Sequence, residues 1–206
     1  MRVAIKICGI TNYEDVKVGI SLGVDAFGFI FEEKNPRFID PEAAYNIIHK
    51  LPPFVTKVGV FTNDPIEKID KFVKISGVDT VQLNGNEPPN FVEMIRIPVI
   101  KSFNIDRSFN LAILDQYQVS AFLLNTFGVF EGKYDNRRFS WNIAKMAVQN
   151  KKTIILAGQL GLTNIREALD DIQPYAVDVN SSVEIKPGVK NPHKMGSVVR
   201  IVREWH

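Results

Sequence analysis

Met1-Arg-Val-Ala-Ile-Lys-Ile-Cys-Gly-Ile-Thr11 contains a short apolar run, Val3 to Cys8, broken by one charge and closed by Gly9. It reads as a β-strand entering a turn. Side chains alternate across a strand, so Val3, Ile5 and Ile7 share one face and Ala4, Lys6 and Cys8 the other. Cys8, the chain's one cysteine, therefore leaves the end of this strand on the same side as a lysine. A nearby ammonium favours thiolate, the form that acts as base or nucleophile, and this is one reading of Cys8. The competing reading is an inert, buried small hydrophobe.

Outward from this strand the same unit recurs. Thr11 and Glu14 stand three apart ahead of Val16, Ile20 and Leu22, the spacing of a capping box, and Gly23 ends the helix they begin. A second strand runs from Gly23 to Phe31, and Asp40-Pro41 caps a helix that continues to about Lys50. Thr56 to Phe61 is a third strand, with Asp64-Pro65 and Glu67 as the next cap. Further strands are expected near Val78–Leu83, Pro98–Phe103, Val119–Leu124, Thr153–Leu156 and Tyr175–Val179, each followed by helical spacing. Gly23-Val-Asp25 and Gly77-Val-Asp79 open strands two and four alike.

Eight strands alternating with eight helices at a repeat of about 25 residues predict a parallel sheet, and apolar runs such as Thr153-Ile-Ile-Leu-Ala157 predict strands buried on both faces. The expected fold is α/β, a single-domain (β/α)8 TIM barrel of eight parallel strands spanning residues 1–206. An open doubly wound sheet is the alternative, but no Gly-x-Gly-x-x-Gly follows the first strand. No linker or composition break divides the chain.

Composition narrows the function classes. The chain is 45% hydrophobic with a net charge of +2, and no basic run interleaved with aromatics points to nucleic acid. No stretch approaches the length needed to span a bilayer. One cysteine cannot make an internal disulfide, so a cytoplasmic location is expected.

In a (β/α)8 barrel the site forms at the carboxyl ends of the strands. The candidates are Cys8, Phe31 to Arg37, Asn84, Asn125, Gly158-Gln159, and Asp178 to Ser182; parity groups Gln82 with Asn84 and Asp178 with Asn180. Backbone N–H groups after strands seven and eight, with a short helix, suit a phosphate. Leu156-Ala-Gly-Gln-Leu160 and Asn180-Ser-Ser-Val-Glu184, with Ser181 and Ser182, occupy those places. Arg37, after Asn35-Pro36, offers a planar fork for a carboxylate. His49, His193 and His206 read as surface residues. No Cys/His spacing suggests a metal, and there is no nucleophile elbow or Walker loop.

Taken together, Lys6-Ile-Cys-Gly-Ile-Thr11, Gly28-Phe-Ile-Phe31 with Pro36-Arg37, Val58-Gly-Val-Phe61, Val81-Gln-Leu83 with Gly85 and Glu87, Leu156-Ala-Gly158, and Val177-Asp178 through Val183-Glu184 to Pro187-Gly188 and Lys190 resemble the phosphoribosylanthranilate isomerase family of tryptophan biosynthesis. The resemblance implies a cofactor-free barrel, a monomer or homodimer. Its substrate would be a phosphorylated ribosylamine, rearranged in an Amadori reaction to an aminodeoxyribulose phosphate. It implies Cys8 as the base at C2, Arg37 as the clamp on the anthranilate carboxylate, loops after strands six to eight for the phosphate, and substrate contacts from Lys6, Gln82 and Asn84.

Several positions depart from the family pattern. The expected general acid, an aspartate ending strand six, is Asn125, which has no proton of useful acidity. The Gly-rich loop after it is replaced by Phe127 to Arg138, with Glu131 and Asp135. Asn84 stands for a histidine, Gln159 and Ser182 for glycines, and Asn191 for an aspartate. Two readings follow. In one the chain remains an isomerase, with Glu131, Asp135 or an inward-facing, desolvated Asp178 as proton donor. The competing role of Asp178 is structural, as a hydrogen-bonding partner for Lys6 or a loop backbone. In the other it binds a sugar phosphate without efficient turnover. The related histidine-pathway isomerase fits less well, having an aspartate where this chain has Cys8.

Overall fold

The computed structural model describes residues 2–126 and 136–205, the side chains of 136–139 excepted. Eight strands close a parallel barrel in which each pairs with the next: β1 (Ala4–Ile7), β2 (Ala26–Ile30), β3 (Thr56–Phe61), β4 (Thr80–Leu83), β5 (Val99–Asn104), β6 (Ala121–Asn125), β7 (Ile154–Ala157) and β8 (Ala176–Val179). The first and last strands complete the ring in a register that sets Lys6 against Asp178. This is the (β/α)8 barrel expected from the sequence.

The period-2 pattern sorts each strand into two cores. Ile5 and Ile7 point outward with Phe27, Phe29, Val81 and Leu83 into the layer packed against the helices. Cys8, Val58, Val60, Ile100, Leu123, Ile155 and Ala157 fill the barrel. The parity expected for the opening strand is therefore observed. The echo between strands two and four also has a structural basis. Asp25 accepts from Ile5 N at 2.8 Å and Asp79 accepts from Lys57 N at 2.9 Å, so each aspartate ties its strand to the one before.

The helices are α1 (Tyr13–Ser21), α2 (Pro41–Ile48), α3 (Ile66–Ser76), α4 (Pro89–Val92), α5 (Asn136–Gln149), α6 (Ile165–Ile172) and α7 (Pro192–Arg203). Three expectations are corrected. The cap of α1 is Asn12, which accepts from Asp15 N at 2.9 Å and donates to the Asp15 carboxylate at 2.7 Å, a box shifted one residue from Thr11 and Glu14. Thr11 is drawn away because its hydroxyl donates to Gly188 O. Pro65, not Asp64, holds the cap position of α3; Asp64 instead accepts from Thr62 N and pairs with Lys68 at 2.8 Å. After β5 the expected helix is a 3-10 turn, Leu111–Gln116, capped by Asn110.

Candidate active site

A cavity of about 380 Å³ opens at the carboxyl ends of the strands. Cys8, Gln82, Asn84, Asn125, Gly158, Gln159, Asp178, Asn180, Ser181 and Ser182 all line it, with Ile30, Asn35, Val60, Leu123, Ala157 and Leu160 as the remaining wall. The sequence candidates are thus brought together, with two exceptions. Lys6 lies below the cavity and Arg37 beside it.

Lys6, only 3% exposed, donates to Asp178 Oδ2 at 2.9 Å, and the second oxygen, Oδ1, is buried with no donor among the described residues. Cys8 sits just above this pair. Gly28 makes room for both groups, since a Cβ there would stand 2.7 Å from Cys8 Sγ and 3.1 Å from Lys6 Nζ. Burial pushes the Cys8 thiol up, and Lys6 only partly offsets it because Asp178 acts in the same direction as burial. Lys6 pulls the thiol toward thiolate, but the carboxylate of Asp178 pairs with the same ammonium and competes for it. Burial also raises Asp178 against the pull of Lys6. For Lys6 itself burial is outweighed by Asp178 and Cys8, and its ammonium is held more firmly than usual.

Arg37 reaches over the end of β1. Gly9, at φ +72°, permits this, for a Cβ would meet Arg37 Cδ at 2.7 Å and Asn180 Oδ1 at 2.8 Å. The guanidinium engages Glu184 through Nε at 2.9 Å and Nη2 at 2.7 Å. Glu184 also accepts from Gly188 N and from Lys190 Nζ at 2.8 Å, and Lys190 donates onward to Asn180 Oδ1 at 2.9 Å. Two cations share one carboxylate, leaving a net positive charge beside the cavity. Burial works against ionised Glu184, but Arg37 and Lys190 outweigh it and lower its pKa. A short hairpin, β9 (Glu184–Lys186) with β10 (Val189–Lys190), creates this cluster. The sequence showed Glu184 and Lys190 only as parts of a motif, because nothing local reveals that they bracket Arg37.

The loops after β7 and β8 form a further wall of the cavity. Gly158 has φ +104° and Gln159 φ +48°, so glutamine adopts the left-handed backbone where the family pattern has glycine. Asn164 braces the turn, accepting from Gly161 N at 2.9 Å and donating to Gln159 O at 3.1 Å. The Ser182 hydroxyl donates to Leu160 O and joins the two loops. The short helix expected after β8 is a single 3-10 turn, Ser181–Val183. Asn125 lines the cavity and donates to Asn104 Oδ1 at 2.8 Å.

Asn84 separates this cavity from a second one of about 340 Å³ between the β4 and β5 loops. Beneath that lies a buried pair missed in the sequence, Lys101 with Glu87 at 2.8 Å; Glu87 also accepts from Asn63 N and Gly85 N, fixing the loop that carries Asn84. His49 and His193 are exposed, as expected. Glu131 and Asp135 lie outside the described residues. Among the described residues no group of three His, Cys, Asp or Glu could hold a metal ion, and no helix is long and apolar enough to cross a membrane.

Residues 5–201 match the family model for N-(5'-phosphoribosyl)anthranilate (PRA) isomerase. The chain is 42% identical over 195 residues to an N-(5'-phosphoribosyl)anthranilate isomerase of Citrifermentans bemidjiense, covering 95% of this chain and 94% of that one. The phosphoribosylanthranilate isomerase of Thermotoga maritima superposes with a TM-score of 0.85 at 34% identity, covering 97% and 98% of the two chains. A phosphoribosylanthranilate isomerase in complex with reduced 1-(o-carboxyphenylamino)-1-deoxyribulose 5-phosphate superposes with a TM-score of 0.81, also at 34% identity and the same coverage. With the barrel, the cavity and the full-length match in agreement, the chain belongs to the phosphoribosylanthranilate isomerase family.

Proposed function

We propose that this protein catalyses the Amadori rearrangement of N-(5-phosphoribosyl)anthranilate to 1-(2-carboxyphenylamino)-1-deoxyribulose 5-phosphate, a step of tryptophan biosynthesis. The observation that carries this reading is the full-length family match converging on a cavity with Cys8 at its floor. The reaction is redox-neutral and moves only protons, so it calls for no cofactor. Every group of the candidate site comes from one chain, so a monomer and a homodimer serve equally.

Cys8 is the base that takes the proton from C2 once the ribose ring has opened to an iminium. Burial raises the pKa of the thiol, so Cys8 acts as base from the thiolate form that remains after its proton has passed to solvent. Lys6 stabilises the negative charge that then forms. Arg37 clamps the anthranilate carboxylate with the edge of its guanidinium not turned to Glu184. Lys190 adds positive charge behind it. The phosphate is held by backbone N–H groups around Gly158-Gln159 and Ser181-Ser182, where the left-handed turn after β7 bares the main chain. Gln82 and Asn84 contact the sugar.

The amide of Asn125 favours a second reading, binding of a sugar phosphate without efficient turnover. A fluorescence assay of PRA consumption separates the two. The parent enzyme is expected to turn over and Cys8→Ser to lose about 10²- to 10⁴-fold in kcat. A parent that binds the product but consumes no PRA, with activity appearing in Asn125→Asp, establishes the second reading instead.

A further inference from the structure

Among the described residues, two oxygens at the cavity have no donor. Asp178 Oδ1 and Gln82 Oε1 are both buried and unpartnered among the described residues, and both side chains line the cavity that holds Cys8. They come from β8 and β4, which stand on opposite sides of the eight-stranded ring. Buried polar atoms are normally satisfied, and a fold keeps them unsatisfied where a ligand completes them. Two unmet oxygens lining one cavity suit a ligand that brings hydroxyl groups to two points, as an opened sugar does.

We propose that Asp178 is a second proton carrier of the reaction, giving a proton to ring oxygen O4 and regaining one from the hydroxyl on C2, while Gln82 accepts from a neighbouring sugar hydroxyl. The inference rests on the isomerase reading above and names the acid that Asn125 cannot be. In the furanose, O4 is bonded to C1 and O2 to the adjacent C2, so one carboxyl can serve both oxygens.

The steps balance. Asp178, as the acid, protonates O4; the C1–O4 bond breaks and the nitrogen lone pair forms the C1=N iminium. Cys8 thiolate takes the proton from C2, the C2–H pair becomes C1=C2, and the C1=N pair returns to nitrogen. The O2–H proton then passes to the Asp178 carboxylate as C2=O forms, and the C1=C2 pair takes the proton from the Cys8 thiol at C1. The net change is one proton moved from O2 to O4 and one from C2 to C1, with both side chains restored. Lys6 is placed for this exchange, because its ammonium pairs with Asp178 and lies beside Cys8. Once O4 is protonated both groups are anionic, and Lys6 together with the substrate iminium balances them until Cys8 takes the C2 proton. Burial raises the pKa of Asp178 against the pull of Lys6, the direction that a proton donor needs.

The test compares parent, Asp178→Asn and Asp178→Glu in the PRA assay, with the rate of Cys8 alkylation by iodoacetamide measured in parallel. Asp178→Asn is expected to lower kcat about 10²- to 10⁴-fold with KM changed only a few-fold. Its alkylation should speed up, because Lys6 then turns to the thiol. Asp178→Glu keeps a carboxylate for Lys6 but displaces it by one methylene, and is expected to lose about 10²-fold in kcat. The proposal is overturned if Asp178→Asn turns over within tenfold of the parent, or if its loss of kcat is matched by an equal loss of alkylation rate, which makes Asp178 a positioning residue only. Should Asp178→Asn not fold, parent-level kcat in Asp178→Glu overturns it. An inert parent enzyme instead sinks the isomerase reading itself.

Discussion

Arg37 and Glu184, 147 residues apart in sequence, meet edge to edge through contacts of 2.9 and 2.7 Å, and the same carboxylate receives Lys190 at 2.8 Å. Lys190 is fully buried, so Glu184 neutralises a charge that has no access to water. Glu184→Gln is expected to destabilise the fold at pH 7 by about 3–5 kcal/mol, the range for removing one partner of a buried pair. The pH sign follows from the depressed folded pKa of Glu184. Its contribution is present in full above the unfolded value of about 4.3 and disappears as pH falls through the lower folded value. Urea unfolding of parent and variant should show a wide gap at pH 7 that narrows in acid. A gap that stays constant or widens toward acid refutes the assignment.

Gly28 is where packing and chemistry meet. Gly28→Ala places a methyl 2.7 Å from Cys8 Sγ and 3.1 Å from Lys6 Nζ, below van der Waals contact for the sulfur. The expected cost is about 1–3 kcal/mol of stability, typical of overpacking, with a fall in kcat larger than any change in KM because the thiol is displaced. Thermal melts and steady-state kinetics on the same preparation check both; unchanged kcat in a destabilised variant counts against a role for the thiol.

Gln82 should show opposite effects on stability and binding. Gln82→Met removes a buried oxygen that lacks a donor and substitutes a side chain of similar size. Relief of that unmet group is expected to raise stability by about 1 kcal/mol, while the lost acceptor raises KM for PRA. Lower stability together with unchanged KM contradicts the assignment of Gln82 to a sugar hydroxyl.

Cys8 is expected to react slowly. Its alkylation rate should rise with pH through a midpoint above the ordinary thiol value of about 8.5, because burial outweighs the Lys6 ammonium. Product bound in the cavity should suppress the reaction. A midpoint below the ordinary value would show that Lys6, not burial, governs the thiol.

Local alternation made the eight strands readable. The side to which Lys6 and Cys8 point follows from pleating alone, and so do the cavity positions of Gln82, Asn84, Asp178 and Asn180. The helix caps were less secure. Thr11 and Asn12 are both good cap residues, and only the distant carbonyl of Gly188 decides between them. The 3-10 turn after β5 retains enough apolar spacing to look like a helix from sequence. Least legible were the long-range charge pairs. Glu87 with Lys101 and Glu184 with Arg37 depend on which loops cross, and that is a property of the closed barrel. The balance of charge on Cys8 was only half visible for the same reason: Lys6 lies two residues away, whereas Asp178, which competes for its ammonium, is near the other end of the chain.

The register that joins Lys6 to Asp178 makes catalysis a late property of folding. β1 and β8 are the first and last staves of the ring, so the thiol and the groups that govern its proton are made at opposite ends of synthesis. A nascent chain stopped before residue 176 carries Cys8 and Lys6 but lacks Asp178 and Lys190, the other charges that act on the thiol. Turnover then serves as a readout of ring closure at this seam.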